Sequence, residues 1–250
     1  MKKSMTAFAA CLVAGMVSAQ IESQNIVGYN TTSISAGRIA AVGAQFQTVG
    51  AVTGERTLNI ADIPFPTPAR AGSVLGINTD QVHVWNPTTS TWTKYYRNTT
   101  AGWCKEGETT TTTDTLLVGA GFFVRRANSA LGSATYAGQV FNGTNVTYSL
   151  AAGRIQNISY PWPIQLNVSD IPAPTPIRAG SVLGINTDQI HVWNSTTSTW
   201  AKFYRNTTAG WCREGETTTT TNQVVIGQAM FLRRANSAAG TLSLDKPAGF

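Results

Sequence analysis

The chain has 250 residues, of which 42% are apolar, 12% are charged and 9% are aromatic. A chain of this length and apolar content can bury a complete core without a metal or disulfides, so we expect no cofactor. The low charge density excludes intrinsic disorder, and glycines without a three-residue period exclude a collagen-like protein.

Residues 1–19 have the three-part layout of a secretory signal peptide. A lysine pair at 2–3 is followed by a mostly apolar run at 6–17, and then by small residues up to Ala19. This pattern predicts cleavage after Ala19 and therefore a secreted or cell-surface protein. Lipid attachment at Cys11 is the alternative, but the apolar run before that cysteine would be unusually short.

The charge of the remaining chain argues against a nucleic-acid partner. The whole chain has 18 basic and 12 acidic residues, a formal net charge of +6, and loss of residues 1–19 with their two lysines leaves +4. The basic residues are scattered, so we expect no nucleic-acid binding, while the charge is compatible with acidic glycans. No later stretch has the ~18 apolar residues of a membrane helix, so we expect no transmembrane span.

The chain after the signal peptide shows the two-residue periodicity of β-strands. Residues 81–85 alternate in polarity, residues 86–90 form a turn cluster, and residues 92–96 continue an aromatic, β-branched run, which together predict a hairpin. Because helical periodicity is nearly absent, we predict an all-β fold. Further strands are expected at 37–48, 116–126, 133–140 and 144–150.

The sequence contains a long internal repeat. Residues 62–130 align with residues 170–238 at an offset of 108 without a gap, and 16 of the 69 positions differ. We predict two homologous sandwich-like β-modules in tandem, at 20–137 and 138–250, related by a pseudo-twofold duplication; a single integrated body with pseudo-twofold symmetry is the alternative. Most differences conserve side-chain volume, so we expect these pairs inside: Val82/Ile190, Tyr95/Phe203, Leu116/Val224, Val118/Ile226 and Phe122/Met230.

Both repeats carry the same short motifs. D-Q-[VI]-H-V-W-N leads to W-x-K-[YF]-Y, then G-W-C, then [VI]-G-x-x-[FM]-F-[VL]-R-R, and N-I-V-G-Y stands at 25–29. These motifs resemble a group of small secreted tandem-repeat proteins from the Verrucomicrobia, Lentisphaerae and Planctomycetes lineages. The resemblance implies a bacterial envelope or extracellular location, and it implies no activity.

Cys104 and Cys212 are the only cysteines of the predicted mature chain and occupy equivalent positions. In an oxidising compartment they could form an intramolecular disulfide if their Cα atoms lie within ~7 Å. They could instead crosslink neighbouring molecules, or remain buried free thiols. The sequence leaves these three alternatives open.

Three tryptophans in each repeat are the best binding candidates. Flat aromatic faces flanked by Asn, Thr and Arg suit sugar rings, and two copies would add avidity. We expect most of these rings to lie in the core. The exposed exceptions should be tryptophans that lie on loops. The ligand-binding candidates are Trp92, Trp103, Trp200 and Trp211.

The polar residues do not form a catalytic pattern. His83 and His191 each follow an aspartate by three residues, but a G-x-S-x-G nucleophile elbow is missing. The paired glutamates of the two K/R-E-G-E turns would face each other across a substrate only by accident. We therefore expect no enzyme activity, and without C-x-x-C spacing or an organised oxygen-ligand series we expect no metal site.

Residues 109–113 and 217–221 are runs of five threonines. β-Branched residues favour extended backbone, so each run is either an exposed edge strand, to which another chain could add, or a solvated connecting loop.

Together these patterns predict an exported, non-catalytic structural or adhesive protein that self-assembles through β-edges. A carbohydrate-binding protein with paired tryptophan sites is the alternative, and a secreted hydrolase is a weaker third. The expected partners are copies of the same chain or extracellular glycans.

Overall fold

The computed structural model describes residues 27–48, 56–129 and 131–249. The predicted signal peptide lies outside these residues. Within them, helix is limited to two single 3-10 turns, at Ile60–Asp62 and Val168–Asp170, and no helix is long and apolar enough to cross a membrane. Strands form nearly all of the regular structure, so the all-β prediction is confirmed.

The strands follow the chain in two series of similar order. The described residues of the first half form β1 (Val27–Ile34), β2 (Ile39–Gly43), β3 (Phe46–Gln47), β4 (Thr57–Asn59), β5 (Gln81–Asn86), β6 (Thr91–Asn98), β7 (Gly102–Lys105), β8 (Thr115–Leu117), β9 (Gly121–Arg125) and β10 (Gly132–Val140). Those of the second half form β11 (Asn145–Leu150), β12 (Ile155–Ser159), β13 (Leu166–Asn167), β14 (Gln189–Asn194), β15 (Thr199–Asn206), β16 (Gly210–Arg213), β17 (Gln223–Val224), β18 (Ala229–Arg233) and β19 (Gly240–Asp245).

Each half contains a five-stranded antiparallel sheet, with strand orders β2-β9-β5-β6-β7 and β12-β18-β14-β15-β16. The registers coincide, since Trp85 pairs with Trp92 in the first hairpin and Trp193 pairs with Trp200 in the second. The predicted hairpin at 81–96 is therefore present. The predicted duplication requires two such equivalent sheets, while the duplication itself and its boundaries stay predictions.

One face of each five-stranded sheet covers a hydrophobic core. In the first half this core lies between that sheet and the smaller sheet β1-β10-β3, which contributes Ile34 and Tyr136. In the second half the pair β11-β19 contributes Leu150 and Leu242. The conservatively exchanged side chains line these cores as predicted: Val82, Tyr95, Leu116 and Phe122, with Ile190, Phe203, Val224 and Met230.

The fifth conservative pair departs from the prediction. Val118 is buried, but it packs in the core of the second half rather than in that of its own half. Ile226, its counterpart, is 43% exposed and lies in a turn, where its carbonyl oxygen accepts a hydrogen bond from the Asn30 side chain. Similar side-chain volume at two aligned positions therefore does not ensure similar burial.

A buried ion pair secures the long loop before β5. The Arg126 guanidinium contacts both carboxylate oxygens of Asp80 at 2.6 Å, and both side chains are fully buried. Asp80 also accepts a hydrogen bond from the Arg70 backbone N–H at 2.8 Å. Arg234 and Asp188 form the same pair in the second half. Each pair ties a loop to the strand end at which the second arginine of the R-R motif lies.

Candidate functional site: an aromatic cluster between the sheets

Two of the four tryptophans predicted to bind ligand lie in the cores. Trp103 and Trp211 are fully buried, on β7 and β16, and their indole N–H groups donate to the Ile63 and Ile171 carbonyl oxygens at 2.7 Å. The prediction that these two tryptophans bind ligand from exposed loops is therefore wrong. Their rings lie on strands and offer no free face on which a sugar could stack.

The other two tryptophans lie together between the two sheets. Trp92 is 38% exposed and Trp200 is half-buried, and both lie on strands rather than on loops. The ring of Trp92 is 5.5 Å from Phe123 and 6.1 Å from Phe231, and that of Trp200 is 6.1 Å and 5.2 Å from the same rings. Both tryptophans therefore share one floor of two buried phenylalanines, and we call these four rings the aromatic cluster.

The remaining pair of tryptophans joins the two sheets. The Trp85 N–H donates to the Ile155 carbonyl oxygen at 2.7 Å, and the Trp193 N–H donates to the Ile39 carbonyl oxygen at 2.9 Å. This role was not predicted from the sequence. A signal was available in the alternation of β5, which places Trp85 on the face opposite the core, where a second partner is needed to bury it.

A histidine and a lysine lie beside each of the two partly exposed tryptophans, Trp92 and Trp200. His83 pairs with Lys94, and this pair lies two residues along the hairpin from the pair formed by Trp85 and Trp92. All four side chains therefore lie on one face of the sheet. Burial, with the nearby charges of Lys94 and Arg125, lowers the pKa of His83 to about 4. His191, beside Lys202 and Arg233, has its pKa lowered to about 4 for the same reasons. At neutral pH these imidazoles are uncharged, and the positive charge at the cluster comes from lysine and arginine.

Among the described contacts, each histidine is hydrogen-bonded to a glutamine and not to a carboxylate. The Nε2 atom of His83 lies 2.8 Å from the Gln81 amide oxygen, and the preceding Asp80 is bound to Arg126. The same contacts recur at His191. The structure therefore directs each aspartate away from the histidine that follows it in sequence. A base, its orienting carboxylate and a nucleophile are not brought together here.

Cys104 and Cys212 are fully buried, and both thiols are free. Burial raises the pKa of each thiol, with a contribution from the negative charge of Glu108 or Glu216. Of the three alternatives that the sequence leaves open, the buried free thiol is the one that this structure contains.

The threonine runs are loops that cover the outer strands of the five-stranded sheets. The Thr112 N–H donates to the Trp103 carbonyl oxygen at 2.8 Å, and the Thr220 N–H donates equivalently to Trp211. Thr112 and Thr220 are themselves buried. The chain thus occupies part of the edge that an incoming strand would need. Neither run forms a strand, although Thr219 makes an isolated antiparallel bridge to Cys212.

The acidic side chains of the described residues do not form a metal site. Among the described residues, no group of three His, Cys, Asp or Glu side chains is placed to hold a metal ion. Glu106 and Glu108, like Glu214 and Glu216, lie in turns that follow β7 and β16. Lys202 and Glu214 form an exposed ion pair at 3.8 Å.

Two grooves mark the contact between the halves. The larger, of about 680 Å³, is lined by hydroxyl side chains and by Arg38, whose guanidinium donates to the Ser198 hydroxyl of the opposite half. The smaller, of about 270 Å³, lies at Arg154, which donates to the Ser90 hydroxyl in the reciprocal contact. Because both arginines are engaged in joining the halves, we assign these grooves a structural role.

No model of a known protein family, no curated protein and no solved structure matches this chain. The aromatic cluster has partly exposed indoles packed on two buried phenylalanines, with cations nearby, and this arrangement is suited to stacking and charge contacts.

Proposed function

We propose that this protein is an exported, non-catalytic adhesive protein that binds carbohydrate at the aromatic cluster. The observation that carries the proposal is the position of Trp92 and Trp200 over the shared pair Phe123 and Phe231. An indole face packs against the apolar face of a sugar ring, while its edge tolerates water. Export is the expectation from residues 1–19, and an extracellular glycan is the partner available there.

The surroundings of the two indoles support this proposal. Trp92 also contacts Trp85 at 5.1 Å, and Trp200 contacts Trp193 at 5.0 Å, and these inner rings are held by the hydrogen bonds that cross between the sheets. The exposed rings therefore have little freedom to lose when a ligand binds. A preorganised aromatic surface binds more tightly than one that must be ordered first.

We propose one composite site in each molecule rather than two separate tryptophan sites. Trp92 and Trp200 contact the same two phenylalanines, so one molecule would offer one composite surface with two stacking positions. A polymer with consecutive sugar rings can use both positions, whereas a monosaccharide can use only one. We therefore expect affinity to rise with chain length of the ligand.

The test is retention of the purified protein on immobilised polysaccharides. The wild-type chain should bind at least one of chitin, xylan, polygalacturonate and hyaluronan, and the double variant Trp92→Ala with Trp200→Ala should lose that binding. Leu117→Ala, which removes a 60% exposed apolar side chain outside the cluster, is the control and should bind normally. Thermal unfolding confirms that each variant is folded.

Two results would contradict the proposal. One is full retention of the folded Trp92 and Trp200 double variant. The other is a wild-type chain that binds none of the polysaccharides.

Self-assembly is a second candidate, favoured by strand β1. Among the described residues β1 is bonded to one neighbouring strand, β10, and Tyr29 on it is 79% exposed. A strand with one free edge can accept a strand from another molecule. Light scattering should then show oligomers whose fraction rises with concentration and falls in Tyr29→Lys; a monomer at every concentration would exclude this route.

A further inference from the structure

We infer that the aromatic cluster selects acidic polysaccharides, in which carboxylate or sulfate groups recur along the chain. This inference rests on the proposed function and names the class of ligand for the same site. It is carried by the distribution of charge around the two indoles.

Each of the two partly exposed indoles has a lysine beside it on the same strand and the same face. Lys94 lies two residues after Trp92 on β6, and Lys202 lies two residues after Trp200 on β15. Residues two apart on a strand share a face, with a separation of about 7 Å, which a lysine side chain can span. Both lysines are half-buried, and their charges act on His83 and His191, which lie on the same face as the indoles.

An arginine on the adjoining strand adds to the charge of each half. Arg125 and Arg233 lie close enough to His83 and His191, respectively, that their charges disfavour the protonated imidazole. Arg125 also donates to the Asn128 side chain at 3.0 Å, and Arg233 donates to Asn236 at 3.0 Å. These partners are neutral, so they orient the guanidinium groups without cancelling their charge.

The neighbouring carboxylates compensate little of this positive charge. Asp80 and Asp188 are buried against Arg126 and Arg234. Glu214 pairs with Lys202 at 3.8 Å, and within the described residues Lys94 has no ion-pair partner. An exposed pair of this kind is weak and exchanges readily for another carboxylate. The cluster therefore presents an excess of cations beside its stacking surfaces.

Stacking and charge occur together in each half of the site. A ligand that stacks one ring on Trp92 and another on Trp200 brings substituents of those rings toward Lys94 and Lys202. Neutral sugars would leave the ammonium groups with water, while uronic or sulfated sugars would replace that water by charge-assisted hydrogen bonds. Attraction between the cations and a repeating anion also speeds association at low salt.

The experiment compares polygalacturonate with its methyl ester, which has the same sugar rings without the charge. The wild-type protein should bind the acid form about tenfold more tightly than the ester at low ionic strength, and the difference should shrink in 0.5 M salt. A parallel arm with sulfated dextran and dextran shows whether carboxylate or sulfate is the preferred anion.

The variant for this test is Lys94→Gln with Lys202→Gln. It should lose about tenfold in affinity for the acid polymer and retain wild-type affinity for the ester. The matched control is Lys105→Gln with Arg213→Gln, which removes the same two charges from the next strands, where neighbouring registers place these side chains on the opposite face. The control should bind both polymers as the wild type does.

The outcomes separate the two proposals. Equal binding of the acid and the ester, or an unchanged affinity in the Lys94 and Lys202 variant, overturns the acidic selectivity and leaves carbohydrate binding intact. Binding of neither polymer, nor of sulfated dextran, overturns the acidic selectivity, and it overturns carbohydrate binding as well when chitin, xylan and hyaluronan are also not bound. Tighter binding of single-stranded DNA than of any polysaccharide also overturns the inference, because stacking and cations would then serve a different polymer.

Discussion

The indole N–H of Trp85 donates a 2.7 Å hydrogen bond to the carbonyl oxygen of Ile155, which lies in the opposite half of the chain. Trp193 and Ile39 repeat this bond in the reciprocal direction. Each half therefore inserts a tryptophan from its hairpin against the first strand of the other half's five-stranded sheet. The partly exposed indoles of the aromatic cluster rest on this contact, so the proposed binding surface and the contact between the halves lie at one place.

Replacement of Trp85 by Phe should weaken the contact between the halves. The phenyl ring leaves the part-buried Ile155 carbonyl oxygen without its donor, and loss of such a hydrogen bond costs about 1–1.5 kcal/mol. Urea unfolding followed by circular dichroism measures this change in the free energy of unfolding. Trp193→Phe should cost a similar amount, since it removes the reciprocal bond.

Trp92→Phe is the control for these variants. Trp92 contributes a partly exposed ring without a hydrogen bond between the halves among the described contacts, so its replacement should cost less than 1 kcal/mol. A Trp85→Phe variant as stable as Trp92→Phe would show that the bond to Ile155 does not hold the halves together.

The sequence predicts the strands of each half better than it predicts what covers them. Alternation in β5 separates Val82 from Trp85, and the structure places Val82 in the core of its own half. The same alternation cannot tell whether Trp85 faces solvent or another sheet, because that depends on residues more than 60 positions away. Trp85 lies on the face that the second sheet covers, and the site is formed where the two sheets meet.

Local propensity fails in a different way at Trp103 and at the threonine runs. A G-W-C segment between polar turns resembles an exposed loop, yet Trp103 is fully buried and its N–H finds the Ile63 carbonyl oxygen 40 positions earlier. Residues 109–113 have the composition of a strand, but the Thr112 N–H is bonded to Trp103 beyond the sheet edge. Both outcomes are set by contacts that sequence periodicity does not encode.

Removal of the Asp80 carboxylate should destabilise the protein strongly. In Asp80→Asn the fully buried guanidinium of Arg126 loses its counter-charge, and breaking a buried pair from one side costs about 3–5 kcal/mol. The free energy of unfolding from urea titration is the measurement. Asp80→Asn combined with Arg126→Met should recover part of the loss, because no uncompensated charge then remains.

Asp188→Asn tests whether the two halves depend on their ion pairs equally. Its contacts with Arg234, at 2.7 and 2.6 Å, and its burial nearly match those of the Asp80 pair, so a similar loss is expected. A loss below 1 kcal/mol in either variant would mean that water or another group can replace the carboxylate there.

Acidification should destabilise the protein before its carboxylates titrate. His83 and His191 have a pKa of about 4 in the folded chain and about 6.5 when unfolded, so the unfolded state binds more protons between these values. The contribution is fully present above pH 6.5 and is lost as the pH falls toward 4. Unfolding free energies at pH 7.0, 6.0 and 5.0 should therefore decrease in that order.

The variant His83→Gln with His191→Gln identifies the source of this slope. Glutamine does not titrate, so the decrease between pH 7.0 and 5.0 should flatten. A slope equal to that of the wild type would show that other groups cause the acid sensitivity.

The two thiols should be unreactive in the folded protein and reactive after unfolding. Cys104 and Cys212 are fully buried, and burial raises the pKa of each thiol, so the thiolate that attacks a disulfide reagent is scarce and inaccessible. Titration of the purified protein lacking residues 1–19 with Ellman's reagent should give no thiol under native conditions and two thiols in guanidinium chloride. One reactive thiol in the folded chain would contradict the burial of that cysteine. No thiol in the denatured chain would reveal a disulfide, and non-reducing electrophoresis would then distinguish an intramolecular bond from a crosslink between molecules.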